Sequence, residues 1–396
     1  MAKAEWTVMV LMGANNVENE VDLTRYAGED LAEMRAVGSR NGVLNIVVQI
    51  DEKENGGPRK FLLMKDPKKE EQYTTLLADG EGSSGDPDVL EGFLKWAQAA
   101  YPAERYMLVI WGHAWRFAFL RDEGDALDYT KMSDVLRDVS QEIDIVAFDS
   151  CNVSWIEAAY QFRDVASYLV ATQYIDPLPG WPYHEILDRI VNPGTIAPKV
   201  GAVAVRNVME PEDLARAIVS QFVRHYGKPK ERHELASRID ETATVTMTAL
   251  NLERMEEIGD AIAQLAITVA LAVNADSTEL STVTRGFEQS QVQTHECAVD
   301  LVTLCWHLMT YSGQADVRAA AAALGDLLLR PADPFIIAHA KTDLTVAMLN
   351  GVSIFAPNLP KPGFDPESLR PLYEALDLSK DTLWDELVYA LTESAV

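Results

Sequence analysis

Two side chains capable of nucleophilic chemistry follow two apolar runs in the first half of the sequence. The run YMLVIWG leads into His113, and the run DIVAFDS leads into Cys151. A cysteine becomes a strong nucleophile when its thiol is ionised, and a nearby histidine can accept the proton. A helical pattern begins at Trp155, so a helix N-terminus could also favour the thiolate. The pair predicts acyl-transfer chemistry wherever the fold brings His113 and Cys151 together.

A structural interpretation of the same two residues competes with the chemical one. Buried cysteines are common small core residues, and a single histidine is commonly structural. The position of His113 and Cys151 favours chemistry, because both directly follow buried strands and sites in α/β sheets form at such strand ends.

The elements that must position both residues are the strands of a sheet flanked by helices. Short apolar runs alternate with segments of helical periodicity, as in α/β proteins. The runs before His113 and Cys151 are almost continuously apolar, which indicates burial on both faces of a largely parallel sheet. We predict strands at 6–12, 44–51, 60–64, 106–111, 144–148 and 168–172, helices at 22–37, 88–100, 131–139 and 155–162, and a hairpin turn at 55–58.

A smaller second domain is predicted in the C-terminal part of the chain. The length of 396 residues exceeds that of a typical single domain. The helical pattern at 211–226 runs into a charged stretch with turn-forming residues at 227–234. We therefore predict a sheet-containing domain at 1–230 and a mainly helical α+β domain at 231–396, with strands at 244–250 and 351–356 and helices at 252–273 and 317–329.

The charge balance narrows the classes of partner. Asp and Glu number 61 against 34 Lys and Arg, which gives a net charge of −27. Such a surface repels phosphates and argues against nucleic acid and anionic membranes as partners. It could attract basic peptides, although the same charge excess can serve solubility alone.

The cysteine count and the apolar runs predict a cytoplasmic location. No apolar run is expected to approach the ~18 residues of a membrane-spanning helix. The N-terminal run is short, contains Glu5 and lacks a cleavage motif of a signal peptide. Cys151, Cys297 and Cys305 are too few and too unevenly spaced for a disulfide framework, so we expect reduced thiols.

The segments around His113 and Cys151 resemble the clostripain family of cysteine peptidases, which is related to caspases, gingipains and legumains. The resemblance extends into the C-terminal half and so covers nearly the whole chain. It implies a caspase-haemoglobinase-like fold with a clostripain-type C-terminal domain. The segments that carry it are WTVMVLMGANNVENEVDLTRYAGEDLAEMRAVGS, LNIVVQID, VLEGFLKWAQAAYPAERYMLVIWGHA, IDIVAFDSCNVSWIEAAYQF, PGWPY, VTMTALNLERMEEIGDAIAQLA, AVDLVTLCWHL and NGVSIFAPN.

The resemblance implies a cysteine endopeptidase whose catalytic dyad is His113 and Cys151. It implies an oxyanion hole made by the backbone N–H groups of Cys151 and of the residue after the histidine, which is Ala114. Relatives usually have glycine at that position, so Ala114 would be strained if its φ had to be positive. No cofactor is required by this chemistry.

The resemblance also implies a preference for Arg or Lys on the acyl side of the scissile bond. Asp149 matches the family position that supplies a carboxylate to this pocket, and Asp176 and Trp181 lie on a later loop that forms a pocket wall. Structural interpretations stand beside these roles. Asp149 could cap the following helix, Asp176 could be a turn residue before Pro177, and Trp181 could serve packing.

The regulation of the implied peptidase has two candidate forms, self-cleavage and binding of a protein partner. Related enzymes mature by cleavage at a basic site between the two catalytic residues, and Arg121 is our candidate for self-cleavage. A regulatory or activating protein partner is also conceivable. Because the residues after His113 depart from the family pattern, an inactive or zymogen caspase-like scaffold that binds a protein partner is the alternative function. A ligand-binding α/β protein is disfavoured, since no Gly-rich phosphate loop follows an early strand.

Metal sites are not strongly indicated. The acidic stretches at 51–54 and 122–128 could bind calcium, but neither has the ligand spacing of an EF-hand. The pairs His295/Cys297 and Cys305/His307 have one intervening residue each, which does not suit a structural zinc site. We therefore expect no metal site.

Overall fold

The described part of the chain alternates strands with helices. In a computed structural model, the described residues are 3–15, 23–52, 58–70, 72–74, 76–77, 80–122, 125–139, 142–196, 205–228, 245–292, 297–342, 349–357 and 366–394. The strands are β1 (Ala4–Gly13), β2 (Leu44–Asp51), β3 (Arg59–Leu62), β4 (Gln72–Thr74), β5 (Leu76–Leu77), β6 (Gly80–Glu81), β7 (Ala103–Trp111), β8 (Ala114–Trp115), β9 (Ala118–Asp122), β10 (Asp125–Asp128), β11 (Ile143–Asp149), β12 (Ala166–Ala171), β13 (Thr195–Ile196), β14 (Val205–Arg206), β15 (Thr246–Asn251), β16 (Ala298–Asp300), β17 (Ile336–Lys341) and β18 (Ser353–Phe355). The helices are α1 (Thr24–Val37), α2 (Pro87–Ala100), α3 (Tyr129–Asp138), α4 (Ile156–Phe162), α5 (Tyr183–Val191), α6 (Pro211–Tyr226), α7 (Met255–Ala275), α8 (Ser277–Ser290), α9 (Leu301–Tyr311), α10 (Ala315–Leu329), α11 (Arg370–Glu374), α12 (Asp377–Thr382) and α13 (Trp384–Ser394).

Nine of the described strands form the central sheet, in the order β17-β15-β12-β11-β7-β1-β2-β3-β4. Its five inner strands, from β12 to β2, run parallel, whereas the pairs at both edges are antiparallel. The predicted α/β class is confirmed, and the antiparallel edges make the sheet mixed. Residues 55–57 of the predicted turn lie outside the described residues, but β2 and β3 on either side pair antiparallel as a hairpin requires.

Helices cover both faces of the sheet, which explains why its inner strands are so continuously apolar. Along β1 the side chains alternate between two cores: Trp6 and Val8 belong to one, and Met9 and Leu11 to the other. The first core lies under α1, α5 and α6, and the second lies under α2, α3, α4 and the C-terminal helices. The carboxyl ends of β7 and β11 therefore meet at one edge of a rigid, buried layer.

The central sheet continues beyond residue 230. β15 pairs with β12, and β17 pairs with β15. Behind the end of β11, the Ser154 hydroxyl donates to the carbonyl of Gly351 at 2.6 Å, and Gln173 Nε2 donates to Asp300 Oδ2 at 2.8 Å. The C-terminal half thus packs directly against the loop that holds Cys151. The division into domains at 1–230 and 231–396 stays a prediction.

One described helix corrects the expectation that no apolar run could span a membrane. The segment Leu252–Ala275 is long and apolar enough by length and composition, with a mean hydropathy of 1.6 in its most apolar window, of which 44% is buried. Ile258, Ile262, Leu265 and Val269 of this segment are fully buried in the core. The packing of α7 in the core therefore accounts for part of this apolar composition, whereas Ile267 and Leu271 of the same helix are exposed.

Glu157 provides a test of how the C-terminal part stabilises α4. Its Oε1 accepts hydrogen bonds from the Phe355 N–H at 2.9 Å and the Tyr373 hydroxyl at 3.0 Å. Burial raises the pKa of Glu157 from 4.5 to about 7. The folded state therefore binds the proton of the Glu157 carboxyl more tightly than the unfolded state does. This difference stabilises the folded state fully below pH 4.5, and the stabilisation is lost as the pH rises to about 7.

We expect Glu157→Gln to remove this part of the pH dependence. The decline in unfolding free energy across that pH range should shrink by on the order of 3 kcal/mol. Urea unfolding of wild type and variant at a series of pH values measures it, with the exposed Glu104→Gln as control. Parallel curves for wild type and Glu157→Gln would contradict the assignment.

Candidate active site

His113 and Cys151 lie beyond the ends of two neighbouring parallel strands. Trp111, the last residue of β7, is in register with Asp149, the last residue of β11. The Gly112 N–H donates to the carbonyl of Asp149 at 3.2 Å, which extends the pairing past the strand ends. His113 and Cys151 then line one cavity, here called the dyad cavity. The sheet register thus brings together the two residues to which the sequence assigns the chemistry.

The Cys151 thiol is held by the main chain of Asp176. Its Sγ accepts a hydrogen bond from the Asp176 N–H at 3.2 Å and lies 3.7 Å from the Asp176 carbonyl oxygen. Asn152 follows with φ of 54°, a left-handed conformation that Asn tolerates better than most residues. α4 begins only at Ile156, so Cys151 is outside its first turn. The Asp176 N–H is therefore placed to stabilise a thiolate.

The backbone after His113 folds into the β8–β9 hairpin. Leu120 N–H donates to the carbonyl of His113 at 3.0 Å. The residues with positive φ around this hairpin are Gly112 at 145°, Arg116 at 60° and Leu120 at 50°, and Ala114 is not among them. The strain considered for Ala114 therefore does not arise. The oxyanion role of its N–H stays a prediction.

Three buried carboxyl groups form an acidic cluster beside the dyad cavity, defined by Asp30, Asp149 and Asp176. Their exposed fractions are 1%, 5% and 8%. Asp149 and Asp176 line the dyad cavity, and both Asp176 carboxylate oxygens are buried without a hydrogen-bond partner among the described residues. Asp149 Oδ2 accepts from the Tyr183 hydroxyl at 2.8 Å and from the Trp181 N–H at 3.2 Å.

Burial dominates the electrostatics of the acidic cluster. It raises the pKa of Asp149 to about 7, against the opposing effect of the hydrogen bonds from Tyr183 and Trp181. Burial and then the charge of Asp149 raise the pKa of Asp176 and of Asp30 well above the usual range. A cation that entered the cluster would favour the ionised carboxylates and be bound by them.

The loop 176–181 forms one wall of the dyad cavity, through Pro177, Leu178 and Gly180. The Trp181 side chain is 1% exposed and lies in the core behind this wall. Trp181 acts on the site through its backbone N–H, which donates to Asp149, and through its side chain, which opposes the rise in the pKa of Asp176. The aromatic ring predicted to line the cleft thus occupies a packing position.

Gly180 is the residue that allows this wall to approach the acidic cluster. Its φ is 66°, and a Cβ added there would lie 3.0 Å from Asp149 Oδ2 and 3.0 Å from Asp30 Oδ2. An L side chain would therefore suffer both backbone strain and crowding.

We expect Gly180→Ala to lower the unfolding free energy by about 1–3 kcal/mol more than Gly42→Ala does. Gly42 is the matched control, since its φ is 72° and a Cβ there meets nothing within 4 Å. The Gly42→Ala variant therefore measures the cost of backbone strain alone, without crowding. Urea unfolding of the two variants measures the difference, and equal losses would show that the carboxylates do not restrict this position.

The remaining predicted residues lie partly outside the described chain. The backbone of Arg121 is in β9, next to residues 123–124, which lie outside the described part. Asp128 of the second acidic stretch caps α3 through the N–H of Lys131. His295 also lies outside the described residues. Among those described, no group of three or more His, Cys, Asp and Glu side chains is arranged to hold a metal ion.

Asp30 is the site residue that the sequence interpretation missed. It lies on the buried face of α1, in helical phase with Ala27, Leu31 and Met34. Its Oδ2 accepts a hydrogen bond from Trp111 Nε1 at 2.7 Å. A carboxyl on the apolar face of an amphipathic helix is costly without a partner, and this was the signal available in the sequence.

Comparison with known protein families finds one family whose sequence pattern covers most of the chain. The sequence model of the clostripain family matches residues 10–390. Clostripain of Hathewaya histolytica is 30% identical over 148 residues, which cover 32% of this chain and 28% of that protein. The alignment thus spans less than a third of the length of this relative.

Two solved structures share the fold over almost their whole length. An inactive zymogen C11 protease from Parabacteroides distasonis has a TM-score of 0.65 at 18% identity, covering 96% of this chain and 99% of that one. A secreted C11 cysteine protease from Bacteroides thetaiotaomicron, in complex with an irreversible peptide inhibitor, has a TM-score of 0.62 at 18% identity, with 96% and 99% covered. The predicted caspase-like fold is confirmed. The chain belongs to the clostripain family of cysteine peptidases.

Proposed function

We propose that the chain is an endopeptidase that uses Cys151 as nucleophile and His113 as acid and base, and that it cleaves after Arg or Lys. The observation that carries the proposal is the dyad cavity itself: a thiol and an imidazole share it with two buried carboxyl groups, Asp149 and Asp176. Family membership supports the chemistry. The two carboxyl groups of Asp149 and Asp176, here called the acidic wall, support the substrate class.

The proposed reaction is acyl transfer in two halves. The Cys151 thiolate attacks the carbonyl carbon of the scissile bond, and the negative charge that develops on the oxygen is stabilised by the backbone N–H groups of Cys151 and Ala114. His113 donates a proton to the departing amine. His113 then accepts a proton from the water that hydrolyses the thioester, and the enzyme is restored.

The acidic wall is proposed to bind the cationic side chain on the acyl side of the scissile bond. Asp149 is held by two donors, so it is the better fixed anion, whereas Asp176 has acceptor capacity left for the substrate. A guanidinium or ammonium group would receive both carboxylates at short range. A neutral side chain offers these carboxyl groups no cationic partner, so we expect basic side chains to be preferred.

The regulation of this activity is a further part of the proposal. We keep Arg121 as the candidate for self-cleavage because β9, which contains it, pairs with β8, and β8 directly follows His113. Cutting there would free the hairpin beside the dyad cavity. Activation by a protein partner, a role for calcium and a cytoplasmic location stay predictions.

A peptide library with every residue type at the acyl-side position tests the substrate class. The proposal predicts that Arg and Lys peptides are cleaved at least about 10²-fold faster, in kcat/KM, than peptides with neutral residues there. Cleavage after acidic or apolar residues would refute the acidic wall as a specificity pocket. A library cleaved by neither the intact chain nor the chain cut at Arg121 would favour the alternative, an inactive scaffold.

A further inference from the structure

The acidic cluster contains one carboxyl group more than the proposed recognition of substrate uses. Asp30 does not line the dyad cavity, yet its Oδ2 and that of Asp149 each lie 3.0 Å from the position that a Cβ on Gly180 would occupy. These two oxygens are therefore at most about 6 Å apart. Asp30 comes from α1, on a different element from Asp149 and Asp176, and is fixed by Trp111 Nε1.

The direct hydrogen-bond partners of the acidic cluster are uncharged or acidic groups, and His113 and Cys151 share the dyad cavity with Asp149 and Asp176. Among the described residues, Asp30 and Asp149 accept hydrogen bonds from Trp111 Nε1, the Tyr183 hydroxyl and the Trp181 N–H, and the carboxyl groups of Asp149 and Asp176 also share a hydrogen bond once one of them is protonated. None of these partners is a lysine, an arginine or a histidine.

Ionisable side chains on α1, α5 and α6 also surround the acidic cluster. From α1, Glu33 adds negative charge, and it pairs with His184 of α5 at 2.9 Å. From α6, the Tyr226 hydroxyl donates to the carbonyl of Gly180 at 2.6 Å. Tyr183 of α5 and Tyr226 of α6 are both buried, and the charges of the cluster help to raise the pKa of each.

Asp30 and Asp149 are at most about 6 Å apart and Asp176 interacts directly with Asp149, so the three buried carboxyl groups cannot all be ionised while no cation is near, because each negative charge opposes the next. We propose that Asp30 is a third acid of the specificity pocket, and that the acidic cluster exchanges a bound proton for the cationic side chain of the substrate. The proton leaves to solvent as the guanidinium or ammonium group enters. No covalent bond is made or broken in this exchange.

The proposal deepens the proposed function and rests on it. Asp30 acts as a positioning residue: it fixes the indole of Trp111 at the end of β7 and sets how readily Asp149 and Asp176 ionise. The direction of the shifts supports this, since burial and neighbouring carboxyl groups raise the pKa of Asp30 and of Asp176. Binding of a basic side chain should therefore strengthen as the pH rises through the titration of the cluster.

The test measures proton release directly with n-butylguanidine, a mimic of the arginine side chain that has no cleavable bond. Calorimetric titration of the full chain is performed in buffers of different ionisation enthalpy, and the slope of the heat against that enthalpy gives the protons released. We expect close to one proton per bound guanidinium near neutral pH. The pH dependence of inhibition by the same compound gives an independent measure.

Asp30→Asn is the informative variant, because the amide oxygen can still accept the hydrogen bond of Trp111 Nε1. We expect it to release fewer protons and to shift the acid limb of n-butylguanidine inhibition to lower pH by about one unit. Asp144→Asn, at the opposite end of β11, is the control and should behave as wild type. Asp144 accepts the N–H of Tyr106 and is remote from the cavity.

The outcomes separate the two proposals. Tight guanidinium binding with no proton release, together with superimposable profiles for Asp30→Asn and wild type, would overturn this inference alone. Peptide cleavage without any preference for basic residues, and no binding of n-butylguanidine, would overturn the proposed function and this inference with it.

Discussion

Replacement of Cys151 by alanine is expected to reduce peptide hydrolysis by about 10⁴-fold or more, because the attacking atom is removed. His113→Ala should cost at least about 10²-fold, since the leaving amine then lacks its proton donor. The two losses should not add, because both residues act in the same step. Fluorogenic basic peptides, assayed with equal amounts of folded protein, measure both effects.

The other described cysteines supply the control for this prediction. Cys305 is 1% exposed in α9, and burial raises the pKa of its thiol. Cys305→Ala should therefore leave kcat/KM within a few-fold of wild type and cost only packing energy, about 1 kcal/mol. Hydrolysis that survives in Cys151→Ala and vanishes in Cys305→Ala would place the nucleophile elsewhere.

Asp149→Asn is expected to lower kcat/KM for arginyl and lysyl peptides by about 10²–10³-fold. The variant removes a buried negative charge but preserves the size of the side chain and the acceptor for the Tyr183 hydroxyl. The cation of the substrate would then enter a pocket in which one carboxylate has been neutralised. Peptides with citrulline in place of arginine should lose much less, so the preference between the two should collapse.

Asp144→Asn provides the matched control on the same strand. Asp144 is near the start of β11 and Asp149 is its last residue. A loss confined to Asp149→Asn assigns the effect to charge at the pocket. If instead Asp149→Asn lowered the cleavage of arginyl and citrullinyl peptides equally, the carboxylate would be a structural support of the loop and not a specificity determinant.

The placement of His113 and Cys151 could be predicted from the sequence because two independent signals agree there. Continuous apolar runs identify strands buried on both faces, and the end of each such strand belongs to one edge of the sheet. The structure adds the register, Trp111 opposite Asp149, which no periodicity encodes. Asp149 was indicated by the resemblance to the clostripain family, in which it matches the position two residues before the cysteine.

Contacts between segments distant in sequence could not be predicted from the pattern of apolar residues. Asp30 reaches the site from α1, and its partner Trp111 is far along the chain. The hydrogen bond from the Asp176 N–H to the Cys151 Sγ depends on how the loop after β12 folds back. The helix after Cys151 begins at Ile156, next to the predicted start at Trp155, and its effect on the thiolate stays a prediction.

The C-terminal half is a larger example of contacts that the local sequence pattern does not predict. β15 and β18 were predicted as strands, whereas β16 and β17 were not, and nothing in the local pattern shows that β15 would pair with β12 and continue the central sheet. Likewise, part of the apolar composition of α7 reflects its burial in the core of this half. Long-range pairing is decided by the packing of the whole chain, which a single sequence does not reveal locally.

Covalent labelling tests the central claim most directly, namely that the Cys151 thiol attacks peptide carbonyls beside a pocket for basic side chains. The chain is treated with a peptidyl-arginine acyloxymethyl ketone and the adduct is mapped by mass spectrometry, with the citrulline analogue in parallel. We predict one adduct, on Cys151, that forms much faster with arginine than with citrulline and is slowed in His113→Ala. An adduct on Cys297 or Cys305, or equal rates for the two reagents, would contradict the account.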